Sequence, residues 1–166
     1  MQVDALFLAL CSRRMPLLPP APGSRIVLDT NVVLDWLVFD DPGARPWAQA
    51  LLNGTLTWLV TDSMKLEWER VLTYSNVARR LGTDFRPEAW ERHARLCPLP
   101  PACGLRCADP DDQVFIDLAV AGQARWLLTK DKALLALGRR AWVSAGVRVL
   151  TPAQWGLDGQ DAWPAS

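Results

Sequence analysis

The chain has 166 residues, enough for one domain that buries most of its apolar surface without covalent staples. Half of the residues are hydrophobic and 22% are charged, which excludes a disordered chain. Eighteen Lys and Arg balance eighteen Asp and Glu, so the molecule as a whole carries no basic field, and any grip on nucleic acid has to come from a local patch.

Residues 1–24 read as a flexible N-terminal arm. The opening run to Cys11 is apolar but carries Asp4 and no basic start, which argues against a secretory signal, and Met15 before a proline-rich stretch is an alternative start. No apolar run approaches the ~20 residues of a membrane span. Residues 25–156 then form the expected domain, and 157–166 a frayed tail.

The first strand is 26–28, a short apolar run that stops at Asp29, Thr30 and Asn31. A helix follows over 32–39, closed by the turn chemistry of Asp40-Asp41-Pro42-Gly43. A second helix, 46–52, has Pro46 in its first turn and Asn53-Gly54 at its end. Residues 56–60 form the second strand. Thr61-Asp62-Ser63 caps a helix over 64–73 that buries Leu66, Val71 and Leu72. A short helix spans 76–81, and another starts at Asp84, Pro87 and Glu88 and runs to Leu96, carrying His93.

Five prolines and glycines between Cys97 and Pro110 make that segment a loop, with room for one short strand at Gly104-Leu105-Arg106. Asp111-Asp112-Gln113 starts a helix whose apolar face is Val114, Phe115, Leu118, Ala119 and Ala121. The third strand is 125–129. Lys130-Asp131-Lys132 turns into a helix through Leu137, closed at Gly138. Residues 146–150 form the fourth strand, and Thr151 caps a last turn through Trp155. Short apolar strands alternating with helices imply an α/β fold with a parallel sheet covered on both faces.

The nine tryptophans are scattered and read as core filler rather than a base-stacking platform. Of the four cysteines none forms a CxxC pair. His93 with Cys97, Cys103 and Cys107 fits no zinc-ligand spacing, so free thiols are expected.

Four carboxylates fall at informative places. Asp29 and Asp131 each follow the end of a predicted strand; Glu67 and Asp112 lie near the first turns of helices. In a parallel sheet all four positions can share one edge, where α/β folds bind ligands. Glu69 competes with Glu67, and Asp109 and Asp111 compete with Asp112; any of these acids could instead cap a helix or face solvent. Clustered carboxylates repel and need a cation, and oxygen-only ligands favour Mg²⁺ or Mn²⁺ over zinc. One such ion activates water against a phosphodiester; a second, ~3.5–4 Å away, would stabilise the leaving oxygen. No serine or cysteine with a base partner offers another nucleophile.

Four segments carry a resemblance in their order: Leu28-Asp29-Thr30-Asn31-Val32; Glu67-Trp68-Glu69-Arg70-Val71-Leu72; Asp109-Pro110-Asp111-Asp112-Gln113 through Ala119; and Leu128-Thr129-Lys130-Asp131-Lys132. Together they resemble the motifs of PIN-domain nucleases, in the branch similar to VapC toxins of bacterial toxin–antitoxin pairs. The resemblance implies a three-layer α/β/α Rossmann-like fold with a central parallel sheet. It also implies a Mg²⁺- or Mn²⁺-dependent ribonuclease, cytoplasmic, homodimeric and neutralised by a cognate antitoxin protein. It places the metal-holding catalytic acids at Asp29, Glu67, Asp112 and Asp131, with Asn31, Thr129 and Asp109 in support. Cations for RNA would come from Arg79, Arg80, Lys130 and Lys132, with Lys65, Arg139 and Arg140 as further candidates. Two other readings stand beside it: a catalytically silent module that dimerises or holds a partner through surface residues such as Trp47 and Trp142, and a nuclease of RNA processing or structured DNA.

Overall fold

The computed structural model describes residues 24–157 apart from 84 and 86. Five strands form one all-parallel sheet: β1 (Ser24–Leu28), β2 (Leu56–Val60), β3 (Ala94–Leu96), β4 (Trp126–Leu128) and β5 (Arg148–Leu150). Their order across the sheet is β3-β2-β1-β4-β5. The chain therefore winds outward in one direction from β1 to β3 and then returns to wind in the other. The crevice outside the carboxyl ends of β1 and β4, where the direction switches, is where an open parallel sheet leaves room for a ligand.

The central strands read as they pack. Ile26, Val27, Leu28, Leu127 and Leu128 are at most 1% exposed, as a strand covered on both faces requires. The helices that supply the cover are α1 (Thr30–Leu37), α2 (Arg45–Leu52), α3 (Asp62–Leu72), α4 (Ser75–Ala78), α5 (Gln113–Ala121), α6 (Lys132–Leu135), α7 (Gly138–Ala145) and α8 (Pro152–Leu157). This is the three-layer α/β arrangement that the alternation of elements predicts.

Local chemistry fixes several of their ends. Thr61 caps α3 by accepting a hydrogen bond from the Met64 N–H. Thr151 and Gln154 form a reciprocal capping box at α8: the Thr151 hydroxyl accepts from the Gln154 N–H, and the Gln154 amide oxygen accepts from the Thr151 N–H. Gly146 ends α7 in the left-handed region, at φ 69°. Gly122 is needed for space, since a β-carbon there would stand 2.4 Å from the Leu59 side chain.

The structure departs from the predicted elements in six places. The helix expected to reach Leu96 is a 3-10 segment, Pro87–Arg92, followed by β3, and His93 lies in the turn between them; Asp84, its expected start, lies outside the described residues. The short strand expected at Gly104-Leu105-Arg106 is loop. Gly138 does not close a helix but opens α7. Leu66 is 65% exposed, because the buried stripe of α3 is Met64, Trp68 and Leu72, spaced by four residues, and Leu66 lies across the helix from it. Ala121 is exposed at the end of α5.

The sixth departure is Trp47, expected at the surface and found fully buried, edge-on to Trp36 with ring centroids 5.5 Å apart; Trp142 is half-buried. Trp58, Trp68, Trp90 and Trp126 are buried too, as core filler should be. Cys97, Cys103 and Cys107 are free thiols. Of the expected N-terminal arm only Ser24 is described, as the first residue of β1, and of the expected tail only Leu157, the last residue of α8. Among the described residues no helix is long and apolar enough to cross a membrane.

The position of Leu66 yields a simple contrast. Leu66→Ser should leave the melting temperature within ~1 °C of the parent, as a surface change does. Trp68→Ala should cost roughly 3–5 kcal/mol, a fall of order 10 °C in a domain of this size. Thermal unfolding followed by circular dichroism reads both.

Candidate metal centre

The pairing register builds the site's first half. Leu28 of β1 lies opposite Leu128 of β4, so the residues that follow, Asp29 and Thr129, emerge side by side at the switch crevice. The Asp29 N–H donates to the Leu128 carbonyl, which carries the sheet ladder one step into the site. Thr129 is fully buried and its hydroxyl donates to Asp29 Oδ2 at 2.7 Å. The Thr129 hydroxyl oxygen in turn accepts from the Asp131 N–H at 2.9 Å. One hydroxyl thus links the acid after β1 to the backbone of the acid after β4.

Asp29 is 3% exposed and stands at the start of α1 without making a capping hydrogen bond. Burial raises its pKa, and the nearby Asp131 charge adds to this; the Thr129 hydroxyl and the N–H groups of Asn31 and Thr30 oppose it. The Asn31 side chain is exposed, so its contribution comes from the backbone. Asp131 does cap its helix: its Oδ1 accepts from the Ala133 N–H at 2.7 Å and the Leu134 N–H at 3.1 Å. The capping reading and the ligand reading of Asp131 are compatible, because its second oxygen accepts no hydrogen bond among the described residues.

Glu67 projects from α3, one turn in. Its pKa is raised by burial and then by the Asp29 charge, with the Thr30 hydroxyl and Arg70 pulling it back. Thr30 is 7% exposed, and its hydroxyl ties α1 to Glu67, a role that no local sequence signal marks. Asp112 precedes α5 in helical backbone geometry and makes no capping bond. Its pKa is pushed up to about 7, by burial first and then by the charges of Asp29, Asp131, Asp109 and Glu67. All four sequence-selected acids therefore act on one another at one rim of the sheet. Asp109 is exposed, its Oδ1 accepting from the Asp111 N–H at 3.0 Å, and its charge adds to the same field.

Comparison with family models decides the kinship: a model described as PIN domain matches residues 25–133. The chain belongs to the PIN-domain family. Comparison with curated proteins returned no match. PIN domains are in general nucleases, and this PIN domain carries its acids where the fold's crevice opens.

The donor set fits a hard divalent cation. It is all oxygen, and the leading influences on Asp112 after burial are four neighbouring acids. Among the described residues no group of three or more His, Cys, Asp or Glu side chains stands together as a ready-made metal cage. Mg²⁺ does not demand one, since it keeps several waters and takes one or two carboxylates directly. Arg70 pulls against Glu67, but two lysines are turned to other acids: Lys130 pairs with Asp35, and Lys65 lies 3.0 Å from Glu91 and 3.9 Å from Glu69. Of the remaining candidates for RNA contact, Arg79 donates to the Ser75 carbonyl, Arg80 lies over the Phe39 ring, and Lys132, Arg139 and Arg140 are exposed.

The raised acids set a pH signature for the metal-free PIN domain. With folded pKa values above the unfolded ones, the folded state binds more protons between about pH 4 and pH 7, so stability is greatest at low pH in that window and is lost as pH rises through it. Solvent screening at the half-buried Glu67 and Asp112 holds their part of the effect to about 1 kcal/mol. In EDTA the melting temperature should fall by a few degrees between pH 5.5 and pH 8, and Asp112→Asn should flatten that slope. An unchanged slope in the folded variant would show that Asp112 does not carry this repulsion.

Proposed function

We propose that this PIN domain is a Mg²⁺- or Mn²⁺-dependent endoribonuclease, the toxin of a bacterial toxin–antitoxin pair. The observation that carries the nuclease reading is the convergence of Asp29, Glu67, Asp112 and Asp131 on one rim, with burial and mutual repulsion raising three of them. The resemblance of the four motifs to VapC-type toxins supports RNA as substrate, an antitoxin and a second copy of the chain as partners, and the cytoplasm as location.

Asp29, Glu67, Asp112 and Asp131 would hold the cation. When bound, such an ion polarises a phosphodiester oxygen and lowers the pKa of a water. Thr129 keeps Asp29 oriented, because its single hydroxyl proton is committed to Asp29 Oδ2. Thr30 steadies Glu67. Lys132, exposed and next to Asp131 in sequence, would meet a phosphate approaching the rim. The silent-module reading loses one of its supports, since Trp47 is core rather than surface, while Trp142 is half-buried.

Cleavage of labelled single-stranded RNA with Mn²⁺, Mg²⁺ or EDTA tests this, beside branched DNA as competing substrate and growth arrest on induced expression. Asp29→Asn should lower cleavage by roughly 10²–10³-fold, the scale of losing one charge-stabilising group. Thr129→Val should cost roughly 10-fold. A correctly folded Asp29→Asn protein that cuts RNA like its parent would refute the assignment, and preference for branched DNA would move it to another substrate.

A further inference from the structure

The loop from Cys97 to Pro110 leaves the sheet once the Cys97 N–H has donated to the Val60 carbonyl, yet Leu105 and Cys107 are only 7% and 5% exposed. Two polar side chains on α5 hold it. The Gln113 amide oxygen accepts from the Cys107 N–H at 2.8 Å, and its nitrogen donates both to the Leu105 carbonyl at 2.8 Å and to Asp117 Oδ1 at 3.0 Å. Asp117, 8% exposed, uses that same Oδ1 to accept from the Cys103 N–H at 2.9 Å. These bonds satisfy three loop backbone groups; the Leu105 carbonyl has besides them only the weak Cys103 thiol donor at 3.8 Å.

The strap ends where the rim begins. Cys107 is followed by Asp109 and Asp112, and Gln113 is the residue after Asp112. The Asp112 carboxylate accepts no hydrogen bond among the described residues, while its carbonyl accepts from the Phe115 N–H, so its place is set by the backbone on either side of it. Asp29, Glu67 and Asp131 each have a hydroxyl or N–H partner of their own. We propose that Gln113 and Asp117 are positioning residues for Asp112, acting through the Cys103–Cys107 backbone to present that acid to the cation. This deepens the metal-centre reading and rests on it for its consequence, though the strap itself does not.

The test pairs two measurements on the full chain. Hydrogen exchange reads the strap without any metal: Asp117→Ala and Gln113→Ala should speed exchange of the 103–112 amides at least ~10-fold. Asp117→Asn, which keeps the Oδ1 acceptor, should restore protection. Mn²⁺ titration reads the consequence: the two alanine variants should bind ~10–100-fold more weakly, the range for residues that orient ligands from behind. Asp117→Asn should stay within ~3-fold of the parent. Ile116→Val, a core change on the same helix, controls for lost stability and should alter neither reading when compared equally far below its melting temperature.

If Asp117→Ala fails to fold, Gln113→Ala carries the test. Parent-like exchange in folded alanine variants overturns the strap. Faster exchange with unchanged Mn²⁺ affinity, while Asp112→Asn loses Mn²⁺, overturns the positioning role and leaves the metal centre standing. Parent-like Mn²⁺ binding by Asp112→Asn overturns the metal-centre reading itself.

Discussion

A carboxylate with 3% of its surface in water is expensive to keep charged, and Asp29 at the end of β1 is such a group. The fold tolerates it through one hydroxyl. Thr129 reaches Asp29 because β1 and β4 pair in a register that sets Leu28 against Leu128. Both faces of β4 are close-packed, so a slip of one residue would exchange Leu127 with Trp126 and Leu128 between unlike packing sites, and the core enforces the polar contact. The site is thus held by the same constraint that makes the sheet.

Charge at the rim follows from what the nearby cations do instead. Lys130 lies between Thr129 and Asp131 in sequence but pairs with Asp35 on α1. Lys65 on α3 pairs with Glu91 and Glu69. Only Arg70 acts against Glu67, and weakly beside burial and Asp29. The acids are consequently left to repel one another, and the protein's zero net charge conceals a strongly negative rim. A mobile cation answers that field better than a fixed lysine, because it brings charge without a side chain that fills the crevice.

The elements that defined the site were legible because each carried a local signal. Residues 56–60 are bounded by turn formers on both sides, and β2 spans the same five residues. The runs that end at Asp29 and Thr129 are too apolar to be anything but buried strands. What escaped were elements decided by tertiary contact. β3 has three residues and owes its existence to pairing with β2; alone it reads as the end of a helix. Gly138 looks like a helix stop and is a helix start, since its place is fixed by burial rather than propensity. Gln113 and Asp117 are ordinary polar residues on a helix until the loop they hold is in view.

Proton direction separates the acids further. A threonine hydroxyl has one proton; given to Asp29, it leaves the oxygen free to accept from the Asp131 N–H, and both contacts are present. Thr129 therefore favours an ionised Asp29. Asp131 accepts from two N–H groups of its own helix. Glu67 has the Thr30 hydroxyl. Asp112 has no donor among the described residues, and it is the acid whose pKa climbs to about 7. Three acids are given partners by the fold, while the fourth is held in place and left electrostatically unsatisfied. A divalent cation would gain most from that asymmetry, because binding relieves repulsion that no hydrogen bond has already relieved.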